Sequence, residues 1–137
     1  MRSLADIGRL LDAPEGDTAA QKAQLLLALG EGVLEHWIEA RDQTPTDTKR
    51  EGFRVLALHR QGAKGDPSFN ACRETCRELV YHYNLVTLDP DHADADQRVE
   101  MMRLVCMHLY LFISGKMQVA GLGEFCCASK PIRTAAV

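Results

Sequence analysis

Apolar residues recur along this chain at spacings of three and four, and no stretch of any length alternates with period two. That periodicity places one apolar stripe on each of several helices. The first runs over residues 3–11: Ser3 and Asp6 make a capping-box-like start, Leu4, Ile7, Leu10 and Leu11 form the stripe, and Pro14 and Gly16 end it. The second spans about residues 18–41. Thr18 and Gln21 fit a capping box, Leu26, Leu29, Val33 and Trp37 share one side, and Thr44-Pro45 stops it. Thr48 and Glu51 predict a capping box for a third helix, through Phe53, Leu56 and His59 towards Gly62. Residues 61–67 read as loop.

A fourth helix is predicted to start at Pro67 or Ser68 and to carry Phe69, Cys72, Cys76, Leu79, Val80 and Tyr83 on one stripe, ending before Asp89-Pro90. Asp91, Asp94 and Asp96 favour the N-terminus of a fifth, which continues to about Met117. Between Leu104 and Ile113 this helix is apolar on nearly all sides, the pattern of a central helix or of one covered by a second subunit. Gly115, Gly121 and Gly123 are expected to loosen its end, and residues 129–137 to form an exposed tail. The fold class is therefore all-α: a compact four- or five-helix bundle, one domain over residues 1–137 with its bundle at 18–120.

Composition narrows the class further. A chain of 137 residues that is 46% hydrophobic and 26% charged can build one core and is not of disordered type. No apolar run is long enough to span a bilayer, and the N-terminal residues lack the long apolar stretch of a secretory signal, so a cytoplasmic location is expected. The small net charge of −3 hides a segregation. Residues 1–47 hold nine acids and four bases, residues 48–80 seven bases and four acids, and residues 81–100 five acids and one base. The bases of the middle segment are Lys49, Arg50, Arg54, Arg60, Lys64, Arg73 and Arg77. Such faces are either solvated and paired with the acidic segments, or they meet an acidic partner or a phosphate backbone. A nucleic-acid-binding subunit using residues 48–80 is thus one alternative, although the loop at 61–67 is too long for a helix-turn-helix.

The candidate chemistry is sparse. Five cysteines cannot all pair within one chain, no C-x-x-C occurs, and reduced thiols are the simplest state. Cys72 and Cys76 stand four apart on one helical face; with Cys106, the Cys126-Cys127 pair or a histidine they could ligate a soft metal. Their place inside an apolar stripe predicts ordinary buried thiols instead. Four histidines fall one to a helix, His36, His59, His82 and His108, but only His59 lies on its helix's apolar face. His59 is expected to be a hydrogen-bonded core or interface histidine, and no cofactor is expected. Gly121-Leu122-Gly123 has neither the preceding strand nor the third glycine of a nucleotide loop.

The run Arg103-Leu104-Val105-Cys106-Met107-His108-Leu109-Tyr110 resembles the R-x4-H-x-Y signature of HEPN-type ribonucleases, over eight residues of the chain. The resemblance implies a dimeric helical ribonuclease of a toxin–antitoxin pair, with Arg103 on a phosphate oxyanion, His108 in acid–base chemistry and Tyr110 at the family's tyrosine position. Arg77 and His82 repeat the first part, but Tyr83 follows too soon. On a regular helix Arg103 and His108 point about 140° apart, so one subunit would need a broken helix, or a second chain, to aim them together.

The leading expectation is a non-enzymatic interaction module, a small subunit, adaptor or regulator that meets another chain or itself. Its expected contact strip is Met101, Leu104, Leu111 and Phe112. A ribonuclease, a thiol or metal protein and a nucleic-acid-binding subunit stand as alternatives.

Overall fold

A computed structural model describes residues 1–66 and 69–121. It consists of five helices: α1 (Leu4–Asp12), α2 (Ala19–Ala40), α3 (Arg54–Ala63), α4 (Asn70–Leu88) and α5 (Ala95–Val119), with no strand among the described residues. The expected all-α bundle is the observed fold. No described helix is long and apolar enough to cross a membrane.

Local chemistry sets the first two helix starts as the sequence spells them. Ser3 Oγ accepts the Asp6 N–H at 3.1 Å, and Thr18 and Gln21 close a reciprocal capping box. The third start differs. α3 begins at Arg54 with Phe53 as an uncapped N-cap, because residues 50–53 form a tight turn in which Arg50 and Phe53 exchange both backbone hydrogen bonds, at 3.0 and 2.9 Å. Glu51 and Gly52 both adopt positive φ there, the pair of conformations a primed turn needs, so Glu51 never reaches a helix N3 position. α4 begins two residues later than expected, and Pro67 and Ser68 lie outside the described residues. Gly115 sits within α5, which runs on to Val119, and Gly121 at φ +71° follows its end. Cys126, Cys127 and the expected tail at 129–137 lie outside the described residues.

Helices α2, α4 and α5 form the middle of the bundle, α1 closes the α2–α5 edge and α3 closes the α2–α4 edge. One stripe of α5, Val99, Met102, Cys106, Leu109, Ile113 and Met117, is buried. Gly30 on α2 lets these helices approach: a Cβ there would lie 2.6 Å from Leu79 Cδ2 on α4. The C-terminal end of α3 is tied to α2 by Trp37 Nε1–H donating to the Gly62 carbonyl at 3.1 Å. Lys116 Nζ reaches Asp66 at 3.0 Å while sitting over the Trp37 and Phe69 rings. These ties hold the end of α3 against α2 and the loop that follows it against α5.

Candidate functional site

The seven bases of the 48–80 segment are divided by the fold into one structural group and one surface group. Arg54, the first residue of α3, turns back towards α2. Its guanidinium lies 3.0 Å from Glu35 and 3.5 Å from Glu31, and donates to the Thr46 carbonyl at 2.9 Å. Burial pushes the Glu31 carboxyl above its usual range, and Arg54 opposes that push. Arg54 is therefore a strut between α2 and α3, not a surface contact.

Five of the other six bases stand around a cleft between α3 and α4 of about 630 Å³. Arg60 and Lys64 stand four apart at the C-terminal end of α3, and Arg73 and Arg77 stand four apart on α4. The tight turn before α3 adds Arg50, while Leu56, His59 and Ala63 supply the remaining lining. Among the described residues, five cations line this cleft and no carboxylate does. Arg77 holds Glu51 at 2.7 Å, which pulls the Glu51 carboxyl below its usual range. Among the described residues Arg50, Arg60, Lys64 and Arg73 form no ion pair. A second cleft of about 420 Å³ shares Arg50, Arg60 and Lys64 and extends the basic surface past Lys49, Thr46 and Thr48.

His59 is a core histidine as expected. It is buried, and its Nε2 lies 3.0 Å from the Phe69 carbonyl, to which it donates in the tautomer that satisfies both groups. Burial lowers its pKa, the bond to Phe69 opposes this, and the nearby Arg73 and Arg77 charges lower it further. His59 is thus neutral near pH 7 and sits at the base of a cationic cleft.

The ribonuclease-like residues do not converge within the chain. Arg103 Nε and Nη2 bind both oxygens of Glu100 at 2.8 Å, and its Nη1 donates to the Leu11 carbonyl at the end of α1 at 3.2 Å. Tyr110 lies on the same side, over Gly8, where a Cβ would meet its hydroxyl at 2.7 Å. His108 faces the opposite neighbour, in a shallow cleft with Thr75 and Glu78 of α4. α5 is unbroken between them, so Arg103 and His108 keep the divergence of a regular helix.

Cys72, Cys76 and Cys106 are buried thiols. Burial lifts the Cys106 pKa to about 12, and its Sγ–H donates to the Leu26 carbonyl at 3.3 Å. Hydrogen bonding with Cys72 and burial lift Cys76 as well. No group of three or more His, Cys, Asp or Glu among the described residues could hold a metal ion. His36 Nε2 is 2.6 Å from the Arg2 carbonyl, and His82 is half-buried on α4, so the four histidines do not meet. Of the expected contact strip, Met101, Leu104 and Leu111 are exposed. Phe112 departs from it, because its ring packs edge-on against Phe69 at 6.3 Å.

The sequence reading picked out the bases but not the cleft's apolar lining, Leu56 and Ala63, nor the pairing of Glu51 with Arg77. One signal was available: Arg73 and Arg77 repeat at i, i+4 on the polar face of the fourth helix, and Arg60 and Lys64 repeat that spacing at the end of the third. Comparison with protein-family models, with curated proteins and with solved structures finds no match to this chain.

Proposed function

We propose that the protein is a non-enzymatic helical interaction module whose α3–α4 cleft docks an anionic partner. The observation that carries this is the lining of five cations, four of them without an ion pair among the described residues, around a concave surface. Assembling like charges on one face costs folding energy through mutual repulsion, and a partner's anions remove that cost on binding. The guanidinium groups favour oxyanions, which they grip through two parallel hydrogen bonds. Among the described residues, Arg103 is committed to Glu100 and Leu11, and Cys72, Cys76 and Cys106 to the core.

The test is fluorescence anisotropy with labelled polyglutamate. Wild type is expected to bind and to weaken steeply with added salt, while Arg60→Glu/Arg73→Glu loses binding and keeps its helical circular-dichroism spectrum. An Arg9→Glu control, on α1 away from the cleft, is expected to bind like wild type. Undiminished binding by the double variant, or no binding by wild type at low salt, overturns the proposal.

A further inference from the structure

Resting on the docking proposal above, we infer that the cleft's occupant is an extended acidic segment of another polypeptide, with an apolar side chain seated on Ala63, above the buried Leu56. Three features of the cleft select this chemistry from among polyanions.

The first is its floor. Leu56 is already buried beneath the cationic rim and only Ala63, half-buried beside it, offers apolar surface, which a ligand that only carries charge leaves wet. A ligand with an apolar group between anions covers it. The second is what the lining lacks. Among the described residues, no aromatic ring but the His59 imidazole lines either basic cleft, so these residues offer nucleobases no stacking platform of the kind single-strand binders use. The described lining of the main cleft also presents no carboxylate, amide or hydroxyl side chain to accept from base amino groups or sugar hydroxyls. Its side chains suit a ligand made of acceptors, as carboxylates are.

The third is spacing. Arg73 and Arg77 stand four residues apart on α4, a rise of about 6 Å, while on the facing wall Lys64, the C-cap of α3, follows Arg60 by four residues just past the helix end. Alternate side chains of an extended peptide lie about 6.6 to 6.8 Å apart on one side. An extended Glu-x-Glu pattern therefore places its carboxylates near successive cations of a wall. The adjoining cleft, which shares Arg50, Arg60 and Lys64, continues the track for a segment longer than one such pair.

Three fluorescein-labelled probes of equal charge test this by anisotropy: the peptide Glu-Glu-Leu-Glu-Glu, its Glu-Glu-Gly-Glu-Glu counterpart, and an oligodeoxythymidylate. The leucine peptide is expected to bind about tenfold more tightly than the glycine peptide, the gain from burying one leucine side chain, and more tightly than the oligonucleotide. Arg73→Glu is expected to weaken the leucine peptide by about tenfold or more. Equal binding of the two peptides, or tighter binding of the oligonucleotide, overturns the inference and leaves the docking proposal standing. Failure of all three probes, or binding indifferent to Arg73→Glu, overturns both. Because the anchor is varied in the peptide, the comparison does not depend on a core variant folding.

Discussion

Glu51 holds Arg77 at 2.7 Å from a left-handed turn position, φ +54°, and so neutralises one of the five cations lining the α3–α4 cleft. The pair is solvent-exposed, so its contribution to folding is small. Its effect on the cleft is larger, because it withdraws a guanidinium from any incoming anion. Glu51→Gln is expected to leave the urea midpoint nearly unchanged and to tighten binding of an acidic peptide roughly two- to fivefold at low salt. Weaker binding by the variant would mean that Arg77 does not face the ligand.

Arg54 gives the opposite expectation, a stability effect. Its guanidinium separates Glu31 from Glu35, and all three side chains are about four-fifths buried. Arg54→Met leaves two largely buried carboxylates facing each other without their main counter-charge, and is expected to cost about 2 kcal/mol at neutral pH. The sign with pH follows from Glu31, whose folded pKa is already raised above 4.5 and rises further once Arg54 is gone. A carboxyl with a raised folded pKa binds its proton more readily in the folded state, so stability falls as pH rises through that value. The deficit of Arg54→Met should therefore be small near pH 4.5 and full at neutral pH. Equal urea midpoint differences at both pH values would contradict this.

Two glycines on neighbouring helices should respond in opposite directions. A Cβ at Gly115 meets nothing within 4 Å, so Gly115→Ala is expected to stabilise by about 0.5–1 kcal/mol through helix propensity alone. At Gly30 the same Cβ collides with the fully buried Leu79 and also approaches Cys106 and Leu109. Overpacking there outweighs the propensity gain, and Gly30→Ala is expected to lose about 1 kcal/mol. Thermal or urea unfolding of the two variants checks both, and equal shifts would count against the described packing of α2 on α4 and α5.

His59 links the cleft to pH. Its pKa is lowered below 6.5 by burial, opposed by the Phe69 bond and reinforced by Arg73 and Arg77. An unfolded chain takes up this proton first as pH falls, so stability should decline from about pH 6.5 downward. His82 on α4 is lowered as well, by burial that Glu78 opposes, and contributes in the same sense. His59→Gln is expected to flatten part of the decline and leave the share due to His82. Saturating acidic peptide should flatten it too, since carboxylates over the cleft favour a protonated His59. A slope unchanged in both experiments would place His59 outside the site.

The parts of this fold that the sequence discloses are those decided within a turn or two. The Ser3–Asp6 and Thr18–Gln21 caps are readable because their partners lie three residues apart. Thr48 and Glu51 offer the same spacing, but Gly52 and the distant Arg77 draw Glu51 into a turn, and nothing local announces either influence. The basic segment shows the same limit. Arg54 and Arg60 look alike in the chain, and only Glu31 and Glu35 of α2 make one a strut while the other stays on the surface. On α5, an apolar run with period near 3.6 cannot reveal that Phe112 is taken up by Phe69 while Leu111 stays exposed. Cleft geometry depends on the α3–α4 packing, which no single helix encodes.

The most direct test is to map the site by nuclear magnetic resonance, titrating isotope-labelled protein with the Glu-Glu-Leu-Glu-Glu peptide and following every backbone amide. Docking in the α3–α4 cleft predicts that the largest shifts fall within residues 49–64 and 70–77, including Arg50, Arg60, Lys64 and Arg73, and that they vanish in Arg60→Glu/Arg73→Glu. Shifts concentrated instead on the exposed α5 positions Met101, Leu104 and Leu111, or spread evenly over the surface, would contradict it.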